Sequence, residues 1–179
     1  MQAARKLAEK TVYRTRRFDV VESKLRIRDK IIKKPFIRHN GFAEILPIEG
    51  GSVVMIREYR HGINRYVYEI PSGTLKNGER PIDGARRELI EEAGIAASRL
   101  RHMFSGYHML GYSSGESHYF LATGLRKVGQ RLEDDEEIDV VRIRIGKLVK
   151  MIEKGKIGDL SVTTALFYYL KNKSRLSAR

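Results

Sequence analysis

Cysteine is absent from this chain of 179 residues, and so is tryptophan. Without a thiol, disulfides, zinc–thiolate sites and cysteine nucleophiles are all excluded. No apolar run approaches the roughly 20 residues that span a bilayer. The polar opening stretch, MQAARKLAEK, also lacks the apolar region of a signal peptide. These absences favour a protein of the cytoplasm that makes no contact with membranes.

Acidic residues are outnumbered, because 22 Asp and Glu stand against 35 Lys and Arg, and the net charge is +13. Much of the excess lies before residue 40. A basic surface of this kind can attract nucleic acid or a polyanionic small molecule. It can also be a solvated surface rich in charged residues, and we favour that interpretation for most of these side chains. A nucleic-acid partner is therefore not expected, although the charge leaves room for one.

Hydrophobic residues make up 41% of the chain, which is enough for one packed domain with a short appended arm. Residues 1–40 form a predicted N-terminal strand region that begins with a short helix or loose arm at 1–10, and residues 41–179 form the main domain. The order of elements predicts an α/β fold of the α+β type, with helices against a central sheet. The predicted strands are 11–16, 18–27, 30–38, 41–48, 52–59, 66–70, 101–108, 117–122 and 138–145, and the predicted helices begin at Pro81 and cover 146–154 and 160–171.

The segment from Gly73 to Ile95 places Glu88, Glu91 and Glu92 three and four residues apart. On a helix this spacing stacks the carboxylates on one face. Because like charges repel at that distance, a cation is expected among them. Oxygen ligands suit a hard ion such as Mg²⁺, with Mn²⁺ as a possible substitute, and Mg²⁺ usually also binds the phosphates of its substrate. The segment therefore predicts metal-assisted chemistry on a phosphate compound.

Within this segment the candidate metal ligands can be ranked. Glu88 and Glu92 lie one helical turn apart and are the best ligands, while Glu91 would share a second or third ion. The bend before the helix can supply a backbone carbonyl, from Ser72 or Gly73, that completes the oxygen shell.

The same segment matches the pattern G-x5-E-x7-R-E-U-x-E-E-x-G-U, where U is apolar, at every position. The pattern resembles the Nudix box, the signature of hydrolases of nucleoside diphosphates linked to another group. The resemblance implies a Nudix-like mixed β-sheet sandwiched between helices. Glu79 and Arg87 are expected to pair and to hold the loop to the helix. The matching residues are Gly73, Glu79, Arg87, Glu88, Leu89, Glu91, Glu92, Gly94 and Ile95.

A wider part of the chain, from about Arg17 to Tyr169, resembles the ADP-ribose pyrophosphatase branch of this family. The stretch IREYR, which ends at Arg60, is similar to the "VRQYR" strand of that branch, and EIPSG, which begins at Glu69, is similar to its "ExPAG" entry to the box. The resemblance implies that Arg60 contacts phosphate and that Glu69 hydrogen-bonds the adenine or its surroundings. Arg17 and Phe18 match the region that packs against the base, although Phe18 is equally well explained as a core residue. In this branch two subunits exchange their N-terminal strands, which implies a homodimer.

Two further segments carry site residues implied by the resemblance. Where the branch usually has "SPGFTDE", this chain has MLGYSSGE, so Leu110 replaces the marker proline and the acidic position falls on Gly115, with Glu116 adjacent. Glu116 would bind substrate from this loop. The acidic run before Ile138 is similar to the "EDEAIEV" segment of the family, and Glu136 aligns with the acid that orients the attacking water or binds a metal.

These observations lead to one hypothesis about function and several alternatives. The hypothesis is Mg²⁺-dependent hydrolysis of the pyrophosphate bond of ADP-ribose, or of a related nucleoside-diphosphate sugar, to AMP and ribose 5-phosphate. Catalysis would depend on Glu136, Glu91 and Glu92. The alternatives with the same chemistry are GDP-mannose, FAD, a dinucleoside polyphosphate, NADH or the 5′ end of RNA as substrate. A non-catalytic module that senses a nucleotide is the alternative from a different class.

Overall fold

The structure is a computed structural model and describes residues 4–134 and 136–177. Its first strands are β1 Arg5–Arg14, β2 Asp19–Ile27, β3 Lys30–Arg38, β4 Phe42–Glu49, β5 Ser52–Arg60, β6 Arg65–Glu69 and β7 Ser72–Thr74. The later strands are β8 Ile95–Tyr107, β9 Glu116–Lys127 and β10 Ile138–Arg144. The helices are α1 Pro81–Glu91, α2 Ile145–Glu153, α3 Leu160–Lys171 and α4 Lys173–Ser177, with a short 3₁₀ helix at His61–Ile63.

The chain divides into two compact units. The N-terminal unit comprises the residues through Gly41 together with Gly106–Ser117, and the main unit comprises Phe42–Ser105 and His118 onward. In the N-terminal unit, β1, β2 and β3 form an antiparallel sheet in that order. The loop before β9 joins this unit through a parallel bridge between Ile37 and Ser113.

The prediction of a short helix or loose arm at residues 1–10 is wrong for Arg5 onward, because β1 pairs with β2 along its whole length. The parts of that prediction that concern Met1, Gln2 and Ala3 lie outside the described residues. The strand has polar residues on both faces and so lacks the apolar alternation that identifies a strand in a sequence. The strand forms because its backbone pairs with that of β2, and β2 is itself anchored by the fully buried Val21.

In the main unit the larger sheet has the order β10-β5-β4-β9-β8. Strands β4 and β5 pair only next to their connecting turn, where Ile48 lies opposite Val53. Beyond that point β6 pairs with β5 and β7 pairs with β4. The two strands therefore separate, and the short strands β6 and β7 pair with the separated parts of β5 and β4.

Alternating side chains on the central strands build one core on each face of this sheet. On β4, Ile45 belongs to the core that contains Ala85 and Leu89 of α1. The next residue, Leu46, belongs to the core that contains Leu148 of α2 and several residues of α3. Because successive strand residues point to opposite faces, α1 lies on one side and α2 with α3 on the other. The predicted sheet sandwiched between helices is confirmed. Within the described ranges, no helix is long and apolar enough to cross a membrane.

Candidate active site

Helix α1 carries the acidic residues of the box toward the start of β7. Pro81 occupies the first turn, where its missing N–H removes no hydrogen bond, and Ala85 and Leu89 bury the inner face. Glu88 and Glu92 are buried as well, with 7% and 5% of their surfaces exposed. Two carboxylates are therefore held away from water, which is rare unless something compensates their charge.

The backbone of β7 lies directly against these carboxylates. The N–H of Ser72 donates a hydrogen bond of 2.7 Å to Oε2 of Glu92. At Gly73 an added Cβ would lie 2.0 Å from Oε1 of Glu88, so only glycine fits there unless that carboxylate moves. The sequence positions proposed as metal ligands, Ser72, Glu88 and Glu92, are thus neighbours in space.

Arg87 organises the remaining glutamates of the box. Its Nε and Nη2 donate to the two carboxylate oxygens of Glu79 at 2.9 and 2.8 Å, as expected from the sequence. Its Nη1 donates to Oε1 of Glu88 at 2.6 Å and to Oε2 of Glu91 at 2.9 Å. Nη2 also reaches the carbonyl of Thr74 at 3.3 Å. One guanidinium therefore ties the loop, the helix and β7 together.

The protonation of the buried carboxylates reflects their surroundings. Burial raises the pKa of Glu88 to about 7, against the lowering effect of Arg87, and Glu91 and Glu136 raise it further by repulsion. Burial also raises the pKa of Glu92 well above its usual value. The Ser72 N–H opposes that shift, whereas negative charge on Glu88, Glu58 and Glu136 adds to it. The site thus concentrates negative charge where solvent cannot screen it.

This donor set fits a divalent cation. Buried carboxylates with raised pKa values gain most from a compensating positive charge, and all the available donors are oxygen atoms, which suits Mg²⁺. As the side chains stand, no three acidic or histidine residues in the described ranges surround a single point. Glu88 and Glu91 do not converge on one point because Nη1 of Arg87 lies between their oxygens and bonds to both.

Glu136 lies in the loop before β10 and is half-buried. Its Oε2 accepts a 2.9 Å hydrogen bond from the N–H of Glu133, and its own N–H donates to the carbonyl of Glu133. This reciprocal turn holds the carboxylate close enough to repel charge on Glu88 and Glu92. Glu136, which is distant from the box in sequence, therefore lies close enough to Glu88 and Glu92 for their charges to interact.

A second charged group lies on the same face of the sheet as α1. Arg60 donates from Nε and Nη2 to the two oxygens of Glu69 at 2.9 and 2.5 Å, and from Nη1 to Glu58 at 3.0 Å. Hydrogen bonding to Glu69 raises the pKa of Arg60, and negative charge on Glu58 and Glu92 adds to the effect. The two predicted substrate-binding residues of this unit, Arg60 and Glu69, are thus partners of each other.

The other predicted substrate-binding residues belong to the N-terminal unit. Arg17 and Phe18 line a shallow pocket of about 190 Å³ between β1 and the end of β3. Thr15 shapes it, because its hydroxyl accepts hydrogen bonds from the N–H groups of both residues. Phe18 is 38% exposed, so within this chain it is not a fully buried core residue.

The loop before β9 shows why Gly115 stands where an acidic residue was expected. An added Cβ at Gly115 would lie 1.7 Å from the ring of His39, so the imidazole fills the space of a side chain. His39 also lies 3.0 Å from the hydroxyl of Ser113, and burial lowers its pKa. Glu116 begins β9 next to this contact, and Leu110 at the loop tip is 79% exposed.

Two residues of the site were not identified from the sequence. Glu58 contacts Arg60 and contributes to the potential at Glu92. Gln130 donates to the carbonyls of Glu92 at 2.7 Å and Ile138 at 3.2 Å, and so ties the end of α1 to β10. The sequence did carry a signal for Glu58, because IREYR has a glutamate where the family motif VRQYR has a glutamine. No local pattern indicates Gln130.

Known proteins resemble this chain in sequence and in fold. An ADP-ribose pyrophosphatase of Bacillus subtilis is 29% identical over 97% of this chain and 98% of its own length. An ADP-ribose pyrophosphatase of Mycobacterium tuberculosis is 32% identical over 71% of this chain and 63% of its own. The crystal structure of an ADP compounds hydrolase superposes with a TM-score of 0.85 at 24% identity, covering 98% of this chain and 97% of the other, which establishes a shared fold.

The NUDIX domain family matches residues 38–165, a span that contains the whole box, Arg60, Glu69 and the Glu136 loop. This span covers well over half of the chain and includes the buried carboxylates and the arginines that hold them. The chain belongs to the Nudix hydrolase family.

Proposed function

We propose that this Nudix hydrolase cleaves the pyrophosphate bond of ADP-ribose, or of a closely related nucleoside-diphosphate sugar, with Mg²⁺ as its metal. The observation that carries the proposal is the buried pair Glu88 and Glu92 beside the backbone of Ser72 and Gly73. The end-to-end match to an ADP-ribose pyrophosphatase supports the choice of substrate.

Nudix hydrolases generally require a divalent metal. Glu88, Glu91 and Glu92, with a carbonyl from Ser72 or Gly73, would hold it here. When bound, the cation supplies positive charge that neutralises the pyrophosphate, whose own charge otherwise repels a nucleophile.

The residues of the chain supply the rest of the chemistry. Glu136, oriented by its turn, would align the attacking water and accept its proton. The water oxygen forms a bond to one phosphorus while the bridging oxygen leaves with the other, so that ADP-ribose and water become AMP and ribose 5-phosphate. Arg60 can contact phosphate oxygens with a planar, two-pronged geometry, provided that its bonds to Glu58 and Glu69 are partly exchanged.

The N-terminal unit would contribute recognition. Arg17 and Phe18 would pack against the base, and Glu116 would contact the terminal sugar. We propose that two copies assemble as a homodimer that exchanges the strands of residues 1–40 and leaves residues 41–179 as the hydrolase domain. Light scattering on the full chain tests the dimer, and a monomer at micromolar concentration would contradict it.

A substrate other than ADP-ribose is the second candidate, and the contact between His39 and Gly115 favours it. The imidazole of His39 fills the space of a side chain at Gly115, so the acidic residue that the ADP-ribose branch has there is missing. GDP-mannose, FAD, NADH and a dinucleoside polyphosphate would each use the same carboxylates. These compounds differ from ADP-ribose in what the loop before β9 must recognise.

The experiment is a substrate panel on the purified full chain with Mg²⁺, Mn²⁺ or EDTA, with products identified by chromatography and mass spectrometry. We expect the highest kcat/KM for ADP-ribose, AMP and ribose 5-phosphate in equal amounts, and no turnover in EDTA. A clear preference for another compound would move the assignment to that substrate. Release of ADP and free ribose would contradict pyrophosphate cleavage altogether.

A further inference from the structure

One face of the N-terminal sheet carries five cationic side chains. Cross-strand pairing places Arg5 opposite Arg26, and Lys24 opposite Lys33, on the same face of the sheet. Lys10 lies opposite Glu22 on this face. All five cations are exposed, whereas the alternate residues Val21 and Ser23 on β2 are buried on the other face. We call this surface the basic face, and it consists of Arg5, Lys10, Lys24, Arg26 and Lys33.

The arrangement of charge on the basic face is unfavourable for the isolated protein. Like charges directly opposite each other on neighbouring strands destabilise a sheet, and here two such pairs occur side by side. Glu22 is the one acidic side chain on this face, and it pairs with Lys33 at 2.9 Å. Across the described ranges, Arg5, Lys10, Lys24 and Arg26 form no ion pair.

Protection of the sheet edges explains only part of this pattern. Lysines on edge strands discourage unwanted strand pairing, which accounts for Lys10 on β1 and Lys33 on β3. It does not account for Lys24 and Arg26, because β2 is the central strand and already pairs on both sides. These two residues concentrate positive charge at the middle of the face.

The dimensions of the basic face match a phosphate backbone. Neighbouring strands lie about 4.8 Å apart and residues rise about 3.3 Å along a strand, so the face covers roughly 10 Å by 14 Å. One strand of a duplex carries a phosphate about every 3.4 Å of helix axis and turns away from a flat surface as it rises, so the face can contact about two or three phosphates at once. At its paired positions the exposed large apolar side chains are Tyr13 at one end and Ile31 at the other, and the apolar neighbours of Tyr13 across the strands, Val20 and Ile37, are half-buried. The face therefore lacks both a row of aromatic rings for stacking bases and a contiguous apolar patch for insertion into lipid.

We propose that the basic face binds the phosphate backbone of nucleic-acid duplexes without regard to sequence or sugar. Lys24 and Arg26 lie at the centre of the contact, and Arg5, Lys10 and Lys33 lie around them. A second copy of the same face is not a suitable occupant, because it would bring like charges together. Binding through phosphates alone depends on salt and is indifferent to the 2′-hydroxyl. This activity is separate from the hydrolase site, since none of these residues belongs to it.

The test compares three proteins: the wild-type chain, the double variant Lys24→Gln with Arg26→Gln, and a matched control, Lys127→Gln with Lys147→Gln. The control removes the same charge from exposed positions of the main unit. Fluorescence anisotropy is measured with labelled DNA and RNA duplexes of about 20 base pairs at salt from about 50 to 200 mM. Vesicles with and without an anionic lipid form a parallel arm.

We expect wild type and control to bind both duplexes alike, with affinity that falls steeply as salt rises. The face variant should bind at least about tenfold more weakly at low salt, and its log–log salt slope should be shallower by about 2. Its midpoint of thermal unfolding should stay or rise, because repulsion is relieved. Absence of wild-type binding would overturn the proposal. Equal losses in both double variants, or binding to anionic vesicles but not to duplexes, would overturn it as well.

Discussion

Arg60 donates a two-pronged pair of hydrogen bonds to Glu69, at 2.9 and 2.5 Å, on the face of the sheet that α1 covers. A third bond joins Arg60 to Glu58 at 3.0 Å. The two carboxylates are only 12% and 14% exposed, so the guanidinium compensates charge that water cannot reach well. A pyrophosphate that binds Arg60 must compete with these bonds. The strength of the bonds to Glu58 and Glu69 therefore sets how tightly Arg60 can bind phosphate.

Glu58→Gln should strengthen substrate binding. The substitution keeps the shape of the side chain but removes one negative charge next to Arg60 and near Glu92. Because a neutral amide competes less well for the guanidinium, we expect KM for ADP-ribose to fall by about two- to tenfold with little change in kcat. Steady-state kinetics provide the measurement. The control is Glu49→Gln, which removes a carboxylate from an exposed pair with Arg142 at the end of β4. A higher KM for Glu58→Gln would show instead that Glu58 positions Arg60.

Arg87→Met should destabilise the fold in a way that Mg²⁺ partly reverses. The substitution leaves Glu79, Glu88 and Glu91 without their shared partner, and unpaired buried charge costs about 3–5 kcal/mol. A divalent cation can replace the lost positive charge at Glu88 and Glu91. Urea unfolding in EDTA and in Mg²⁺ measures both effects.

The matched control for Arg87→Met is Arg86→Met. Arg86 is the preceding residue on α1, and it forms an exposed pair with Asp83 at 3.1 Å. Surface pairs of this kind contribute little to stability, so we expect a small loss that Mg²⁺ does not change. Similar losses for the two variants would show that Arg87 does not hold the site together.

Glu79 should stabilise the protein in a pH-dependent manner. Its bond to Arg87 lowers the pKa of Glu79 to about 2, from 4.5, so the folded state prefers the ionised form. A carboxylate whose pKa is lower in the folded protein than in the unfolded chain contributes its full stabilisation at any pH above the unfolded-state pKa. That stabilisation is lost as the pH falls toward the folded-state pKa. We expect Glu79→Gln to reduce the free energy of unfolding by up to about 3 kcal/mol at pH 7. The difference between wild type and variant should shrink from pH 5 downward and vanish near pH 2. A difference that does not change with pH would mean that the ionic bond is not its source.

Gly73→Ala should damage the metal site while leaving the fold largely intact. The new methyl group would meet Oε1 of Glu88 at 2.0 Å and its Cδ at 2.2 Å, so the carboxylate must move away from β7. We expect kcat/KM to fall at least about tenfold and the Mg²⁺ concentration for half-maximal activity to rise. Gly146→Ala is the control, because a Cβ there meets nothing within 4 Å. Unchanged metal dependence in Gly73→Ala would argue against Glu88 as a ligand.

The parts of the structure that sequence could predict are those set by short-range patterns. The spacing of Ala85, Leu89 and the glutamates of the box predicts a helix with one apolar and one acidic face, and α1 has both. The pairing of Glu79 with Arg87 follows from the same segment. The mostly apolar stretch of β4 likewise predicts a buried strand with β5 as its hairpin partner, and the structure places the side chains of both strands in two separate cores.

The parts that sequence could not predict depend on contacts between distant segments. β1 is polar on both faces, and its pairing partner β2, rather than its own composition, orders it. Gln130 acts through the carbonyls of Glu92 and Ile138, which no local motif brings together. Gly115 replaces the acidic residue of the family motif because the ring of His39 fills the space of a side chain there. His39 lies 76 residues earlier in the chain, so no local pattern shows this contact.

The most direct test of the account is the rate of AMP formation from ADP-ribose by Glu92→Gln in saturating Mg²⁺. Glutamine preserves the size of the side chain and can still accept the Ser72 N–H bond, so the fold should persist and circular dichroism should match wild type. If the buried carboxylate holds a divalent cation for pyrophosphate cleavage, the rate should fall by about a thousandfold or more. A folded Glu92→Gln protein that releases AMP at the wild-type rate would contradict it.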